Sequence, residues 1–141
     1  MRVRDVMSHP VITVAPTTEA AIAARVLYSH GFTALPVVDD GRLVGIVTEA
    51  DLLTAPPEDG AHRWRRGSAT GPLRVGEVMT NPVESLTPGA EAVDAARIMV
   101  DERIRCLPIV DGRHVVGILT RRDLLEAGVV DTRPSERQPN D

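Results

Sequence analysis

Gly45-Ile46-Val47-Thr48-Glu49-Ala50-Asp51 returns 72 residues later as Gly117-Ile118-Leu119-Thr120-Arg121-Arg122-Asp123. Each copy reads as the end of an apolar strand running into a helix: Thr is a favoured N-cap, and an acid three residues on completes a capping box. Outward from this stretch the same offset pairs Val6-Met7 with Val78-Met79, Pro10-Val11 with Pro82-Val83, and Glu19-Ala20 with Glu91-Ala92. It also pairs Ala23-Ala24-Arg25 with Ala95-Ala96-Arg97 and Leu35-Pro36 with Leu107-Pro108. Over 6–53 against 78–125, 21 of 48 positions are identical without a gap. Chance does not produce that, so the chain is a duplication of one short unit.

Each unit has a legible order. A short apolar segment (Val11–Val14; Val83–Leu86) predicts a strand. Pro16 and Pro88 suit a helix start, where a missing N–H costs nothing. Ala20, Ala23, Ala24 and Leu27 share one helical face, as do Ala92, Ala96, Met99 and Val100. Leu35–Val38, the turn Asp39-Asp40-Gly41, and Leu43–Val47 predict a β-hairpin, with Asp111-Gly112 marking the second copy's turn. Short helices follow from about Glu49 and Arg121. The expected fold is α+β (of α/β type): two β-α-β-β-α repeats packed through their sheets with pseudo-two-fold symmetry. One unit is too small to bury an adequate core, so the two must cover each other, and clefts between subdomains are common ligand sites. The expected boundaries are 1–54 for the first repeat, 55–74 for a Pro/Gly/Arg linker, 75–128 for the second repeat and 129–141 for a disordered tail.

Composition narrows the function classes. Of 141 residues, 43% are hydrophobic and 26% charged, ordinary values for a globular chain. One Trp, one Tyr and one Phe leave the core to aliphatic side chains. All 16 basic residues are Arg, and the net charge is -4, which argues against a general affinity for nucleic acid or acidic membranes. No apolar run is long enough to span a membrane, and Met1–Asp5 lacks the apolar core of a secretory signal, so the expected location is cytoplasmic. Cys106, as the single cysteine, excludes an intramolecular disulfide. His9, His30, His62 and His114 lack the close pairing of a zinc site, so no metal is expected. There is no Walker loop or dinucleotide fingerprint. No catalytic constellation stands out, and the chain is expected not to be an enzyme.

The repeated Thr-x-x-Asp segment carries the chemistry. A helix start presents unpaired N–H groups that favour anions. A Thr hydroxyl beside them can serve a phosphate, an Asp carboxylate can accept both hydroxyls of a ribose diol, and Gly permits close approach. The same pattern also serves plain helix capping.

The duplicated set Met-x-x-Pro-Val, Leu-Pro-Val-Val-Asp and Gly-Ile-Val-Thr-x-x-Asp resembles the cystathionine-β-synthase (CBS) domain, whose tandem pair is also called a Bateman module. The resemblance covers about 3–53 and 75–127. It implies binding of adenosine ligands: AMP, ADP or ATP, and less often S-adenosylmethionine or NAD. In the family the motif's Asp holds the ribose, its Thr lies near the phosphate, and the other repeat grips the adenine. Two sites are implied. The first joins Thr120 and Asp123 to Pro10, Ile12 and Phe32, with Ile118 lining the base pocket and Arg105 placed to contact phosphate. The second joins Thr48, Asp51 and Ile46 to Pro82, Glu84 and Ile104. Thr33 stands where the second repeat has Arg105, and Glu84 where the first has Ile12. The second site is therefore expected to lack a basic partner and to be the weaker. On residue type alone, Pro10, Ile12, Phe32 and Ile118 also fit a core, and Arg105 a solvated surface.

The resemblance implies a sensor: a cleft-bound adenosine ligand shifts the packing of the halves, or the geometry of a homodimer, and an effector protein reads the change. The alternatives are a structural homodimerisation module with empty sites and a nucleic-acid binder using His62-Arg63-Trp64-Arg65-Arg66 of the linker.

Overall fold

The computed structural model describes residues 1–54, 72–81 and 84–130. Most of the linker with its Arg cluster, most of the tail, and Pro82 lie outside the described residues. The first half runs α1 (Val3–Val6), α2 (Ala20–His30), β1 (Ala34–Asp39), β2 (Arg42–Thr48) and α3 (Glu49–Leu53). The second runs a 3-10 turn (Val75–Glu77), α4 (Ala92–Asp101), β3 (Cys106–Asp111), β4 (His114–Thr120) and α5 (Arg121–Glu126). β1 pairs antiparallel with β2, and β3 with β4, in matching registers: Pro36 lies opposite Ile46 and Pro108 opposite Ile118. The mixed fold and the duplicated hairpins agree with the sequence expectation. The Asp40-Gly41 turn takes positive φ at both residues (51° and 78°), the backbone that joins right-twisted strands without splaying them.

Two features of each repeat depart from expectation. Among the described residues, the strands expected at 11–14 and 83–86 show only single parallel bridges, Val14 to Val37 and Leu86 to Ile109. The helices expected to open at Pro16 and Pro88 begin at Ala20 and Ala92, with Glu19 and Glu91 as N-caps. The reason is a competing set of hydrogen bonds. Gly76 N–H donates to the Pro16 carbonyl (2.9 Å), Val75 N–H to Thr18 (2.8 Å), and Ala20 N–H to Leu73 (2.8 Å). In the other half Arg4 donates to Pro88 (3.0 Å), Val3 to Ala90 (2.8 Å), and Ala92 to Met1 (2.9 Å). Carbonyls committed to a distant segment are not free to start a helix.

These bonds mark an exchange. The chain's first residues dock on the second half, and those before the second repeat dock on the first. Val3 is fully buried in one core, with Ala92, Ala95, Met99, Leu107, Ile109 and Leu119. Leu73 and Val75 are buried in the other, with Ala20, Ala23, Leu27, Leu35, Val37 and Val47. Arg2–Glu91 (2.8 Å) and Arg74–Glu19 (3.7 Å) are equivalent ion pairs at the two joins. Neither small core closes without a segment from the other repeat, which is how a unit of this size reaches enough buried surface. The Ala faces of α2 and α4 allow this close approach, with Ala20, Ala23, Ala92 and Ala95 buried. Val100, expected on the buried face, is instead 61% exposed; the buried stripe runs through Ala92, Ala95, Ala96 and Met99.

The exchange builds the clefts. Ser8 bonds in both directions with Ile118 on β4 (2.9 and 3.1 Å), whereas Val14 bonds with β1 (3.1 and 2.8 Å). The chain between must cross from one half to the other. Thr80 bonds likewise with Ile46 on β2 (2.8 and 3.0 Å), and Leu86 with β3 (3.1 and 2.8 Å). Each crossing segment walls one of two related clefts.

Candidate functional site

The first cleft has a volume of about 430 Å³. The crossing segment contributes Ser8, Pro10, Val11 and Ile12 to it; the approach to β1 and the start of that strand contribute Gly31 through Pro36. The opposite half contributes Arg105, Cys106, Ile118 and the run Thr120 to Asp123, of which Arg121 to Asp123 open α5. All seven residues expected at the first site therefore meet in one cavity. Phe32 is 40% exposed and Pro10 is exposed, so neither is core; Ile12 and Ile118 are half-buried.

The motif's local chemistry is a complete capping box. Asp123 N–H donates to Thr120 Oγ1 (3.1 Å), and Thr120 N–H donates to Asp123 Oδ2 (2.9 Å). Ser8 Oγ, from the other repeat, donates to the same carboxylate at 3.2 and 3.3 Å. Sequence reasoning misses Ser8; its pairing with Thr80 across the duplication is the available signal. A carboxylate offers about four lone-pair sites, so one N–H and one O–H leave room for about two more donors. A vicinal diol supplies two. Asp123 has no ion-pair partner among the described residues and is half-buried at the cleft wall.

The second cleft, of about 450 Å³, is lined by Ile46, Thr48, Glu49, Ala50, Thr80, Glu84 and Ile104, with Thr33, Ala34, Arg103, Arg105 and Cys106. Thr48, Ile46, Glu84 and Ile104 stand where the repeat symmetry puts them. Asp51 makes the same capping box (2.9 and 3.1 Å) and accepts Thr80 Oγ1 at 3.2 Å, but it is not among the lining residues. The expectation that this cleft lacks a basic partner does not hold. Arg105 lines both clefts and Arg103 lines the second, because the residues before β3 sit between them.

The clefts differ in charge. The first carries Arg105, Arg121 and Arg122 against Asp123. The second carries Arg103 and Arg105 against Glu49 and Glu84. Arg121 and Arg122 replace Glu49 and Ala50 within the motif itself. Arg121 is partly engaged, donating to the Ile104 and Met99 carbonyls at 3.1 and 3.3 Å. Cys106 lies at the seam of both clefts, and burial pushes its thiol up to about 11, so it is protonated at neutral pH and is no ready nucleophile.

A family model, "CBS domain", matches residues 3–58 and again 75–130. The chain belongs to the CBS-domain family. The CBS domain-containing protein YhcV of Bacillus subtilis is 35% identical, over 86% of this chain and 81% of its own. Two solved CBS structures are similar. One is the CBS domain pair of protein MJ0100 in complex with 5′-methylthioadenosine and S-adenosyl-L-methionine: 30% identity, TM-score 0.74, 91% of this chain and 95% of that one. The other is CBSX2 in complex with AMP: 33% identity, TM-score 0.75, 90% and 95%. Among the described residues no helix is long and apolar enough to cross a membrane.

Proposed function

We propose that this CBS pair is a regulatory module, not an enzyme, that binds an adenosine-containing ligand of the AMP, ADP or ATP class in the first cleft. The observation that carries the reading is the meeting of Asp123, with acceptor capacity to spare, Arg105 and Arg122, without ion-pair partners among the described residues, and the apolar Pro10, Ile12, Phe32 and Ile118 in one cavity contributed by both halves. The apolar wall suits a purine, the carboxylate a ribose diol, and the guanidinium groups a phosphate. Similar CBS pairs hold AMP, 5′-methylthioadenosine or S-adenosylmethionine, which supports the class of ligand. S-adenosylmethionine and NAD are the less favoured candidates. A ligand touching both halves stabilises one packing of them over others, which is the change an effector protein reads.

A thermal-shift series with AMP, ADP, ATP, NAD and S-adenosylmethionine tests this. A ligand at about one hundred times its dissociation constant adds about 2.7 kcal/mol. That raises the melting temperature by a few degrees in a chain of this size. If none of the five moves it, the reading fails and an empty-site dimerisation module stands in its place. Asp123→Ala reduces the shift more than Asp51→Ala, because only Asp123 lines its cleft. Equal reductions would contradict the ranking.

The module pairs with a second copy through its helices. Tyr28 on α2 and Leu53 on α3 are 91% and 82% exposed, and they flank a groove also lined by Ala21, Ala24 and Leu52. Leu125 on α5 is 76% exposed at the equivalent place. Adjacent exposed apolar side chains on helices mark interfaces. Leu53→Glu with Tyr28→Glu gives a monomer by sedimentation where the wild-type chain sediments as a dimer. A wild-type monomer at micromolar concentration would show that these helices do not pair.

A further inference from the structure

We infer that the two clefts bind anionic ligands antagonistically, because both draw on one cation, Arg105. The inference rests on the adenosine-ligand reading and adds a regulation to it. Thr33 and Arg105 are equivalent by the 72-residue offset, as are Ala34 and Cys106. All four line both cavities, so they mark the pseudo-two-fold axis where the clefts adjoin. Of the two equivalent positions before β1 and β3, Thr33 is uncharged and Arg105 is charged. A symmetric pair would offer each cleft its own residue; this chain offers one guanidinium to two.

Arg105 is held at this junction from its backbone. Its carbonyl accepts Arg121 N–H at 3.1 Å, and the Thr33 carbonyl accepts Glu49 N–H at 3.0 Å. The Arg105 guanidinium has no ion-pair partner among the described residues, so it is available to either side. When a phosphate in the first cleft engages it, the second cleft is left with Arg103 against Glu49 and Glu84. The second phosphate then meets a nearby dianion without the shared cation between them. Linkage makes the penalty reciprocal: whichever cleft fills first weakens the other equally.

The effect belongs to the phosphate, so AMP shows it and adenosine does not. Calorimetric titration of the full chain reads it directly. In wild type the second AMP binds at the second cleft with the first filled. In Asp123→Ala, or in Asp123→Asn, which keeps an acceptor for Ser8 and Thr120 if the alanine variant folds poorly, the first cleft loses its ribose contact, so it is blocked over the concentrations at which AMP fills the second. The second cleft's AMP affinity is then about tenfold higher than the wild-type second step, a typical size for coupling between sites. A wild-type chain that takes one equivalent, while the variant still takes one at the second cleft, is the same result in stronger form. Adenosine shows no such gain. Arg105→Ala weakens the first AMP step, leaves the second little changed, and abolishes the gain that Asp123→Ala gives the second cleft.

Equal second-cleft affinity with the first cleft filled or blocked overturns the coupling and leaves the adenosine-ligand reading intact. The coupling is overturned in the same way if the gain on blocking the first cleft persists in Arg105→Ala, or if the blocked variant binds no AMP. Failure of wild type to bind either AMP or adenosine overturns both.

Discussion

Gly45→Ala and Gly117→Ala each lower the melting temperature by about 6–8 °C, the equivalent of about 2 kcal/mol in a chain of this size. A Cβ on Gly117 falls 2.6 Å from Met7 Sδ and 3.0 Å from the Ser8 carbonyl oxygen. On Gly45 it falls 2.8 Å from both Met79 Sδ and the Thr80 carbonyl oxygen. The methionine ends can swing away, but the carbonyls cannot, because Ile118 and Ile46 N–H hold them at 3.1 and 3.0 Å. The added methyl must push off the segment that begins each crossing. Gly89→Ala is the control: its Cβ meets nothing closer than Arg4 Nη1 at 3.8 Å, and the melting temperature stays within about a degree or two. Differential scanning calorimetry of the three variants decides it. Wild-type melting in Gly45→Ala and Gly117→Ala would mean that the segments do not dock on β2 and β4.

Val3→Asp costs about 3 kcal/mol or more, and it damages the half of the molecule to which residue 3 does not belong by sequence. Val3 is fully enclosed by Ala92, Ala95, Met99 and Leu107 among others. A carboxylate there has no partner, and an unpaired buried charge is expensive or drives its segment out into water. Either way the second half's core loses a wall. Amide exchange by NMR or mass spectrometry reads the result. Protection falls first in α4 and β3, while α2 and β1 keep theirs until global unfolding. Loss first in α2 and β1 would contradict the exchange.

The duplication, the hairpins and the composition of the first cleft are legible in the sequence for one reason: they rest on patterns repeated in register. Gly45-Ile46 and Gly117-Ile118, Leu35-Pro36 and Leu107-Pro108 recur at one offset, and local rules for strands, turns and caps read each copy twice. Long-range pairing is not legible. Nothing local in Val3-Arg4-Asp5-Val6 says that its N–H groups satisfy carbonyls near Pro88, so local rules start the helix at the proline instead of at Ala92. Ser8 and Thr80 escape those rules because their partners, Asp123 and Asp51, lie in the opposite repeat. Position-by-position transfer misjudges the charge of the second cleft because it assigns Arg105 to one site, whereas a residue on a symmetry axis belongs to both. Val100 shows the limit of periodicity: an apolar residue beside the stripe faces outward.

If Asp123 reads a ribose diol in the first cleft, a pair of titrations shows it. AMP and 2′,3′-dideoxy-AMP share base and phosphate and differ only in the two hydroxyls. AMP is expected to bind about tenfold tighter or more in wild type, the worth of a hydrogen bond or two to a charged acceptor, and Asp123→Ala to erase the difference. Equal affinity of the two nucleotides for the wild-type chain would contradict it.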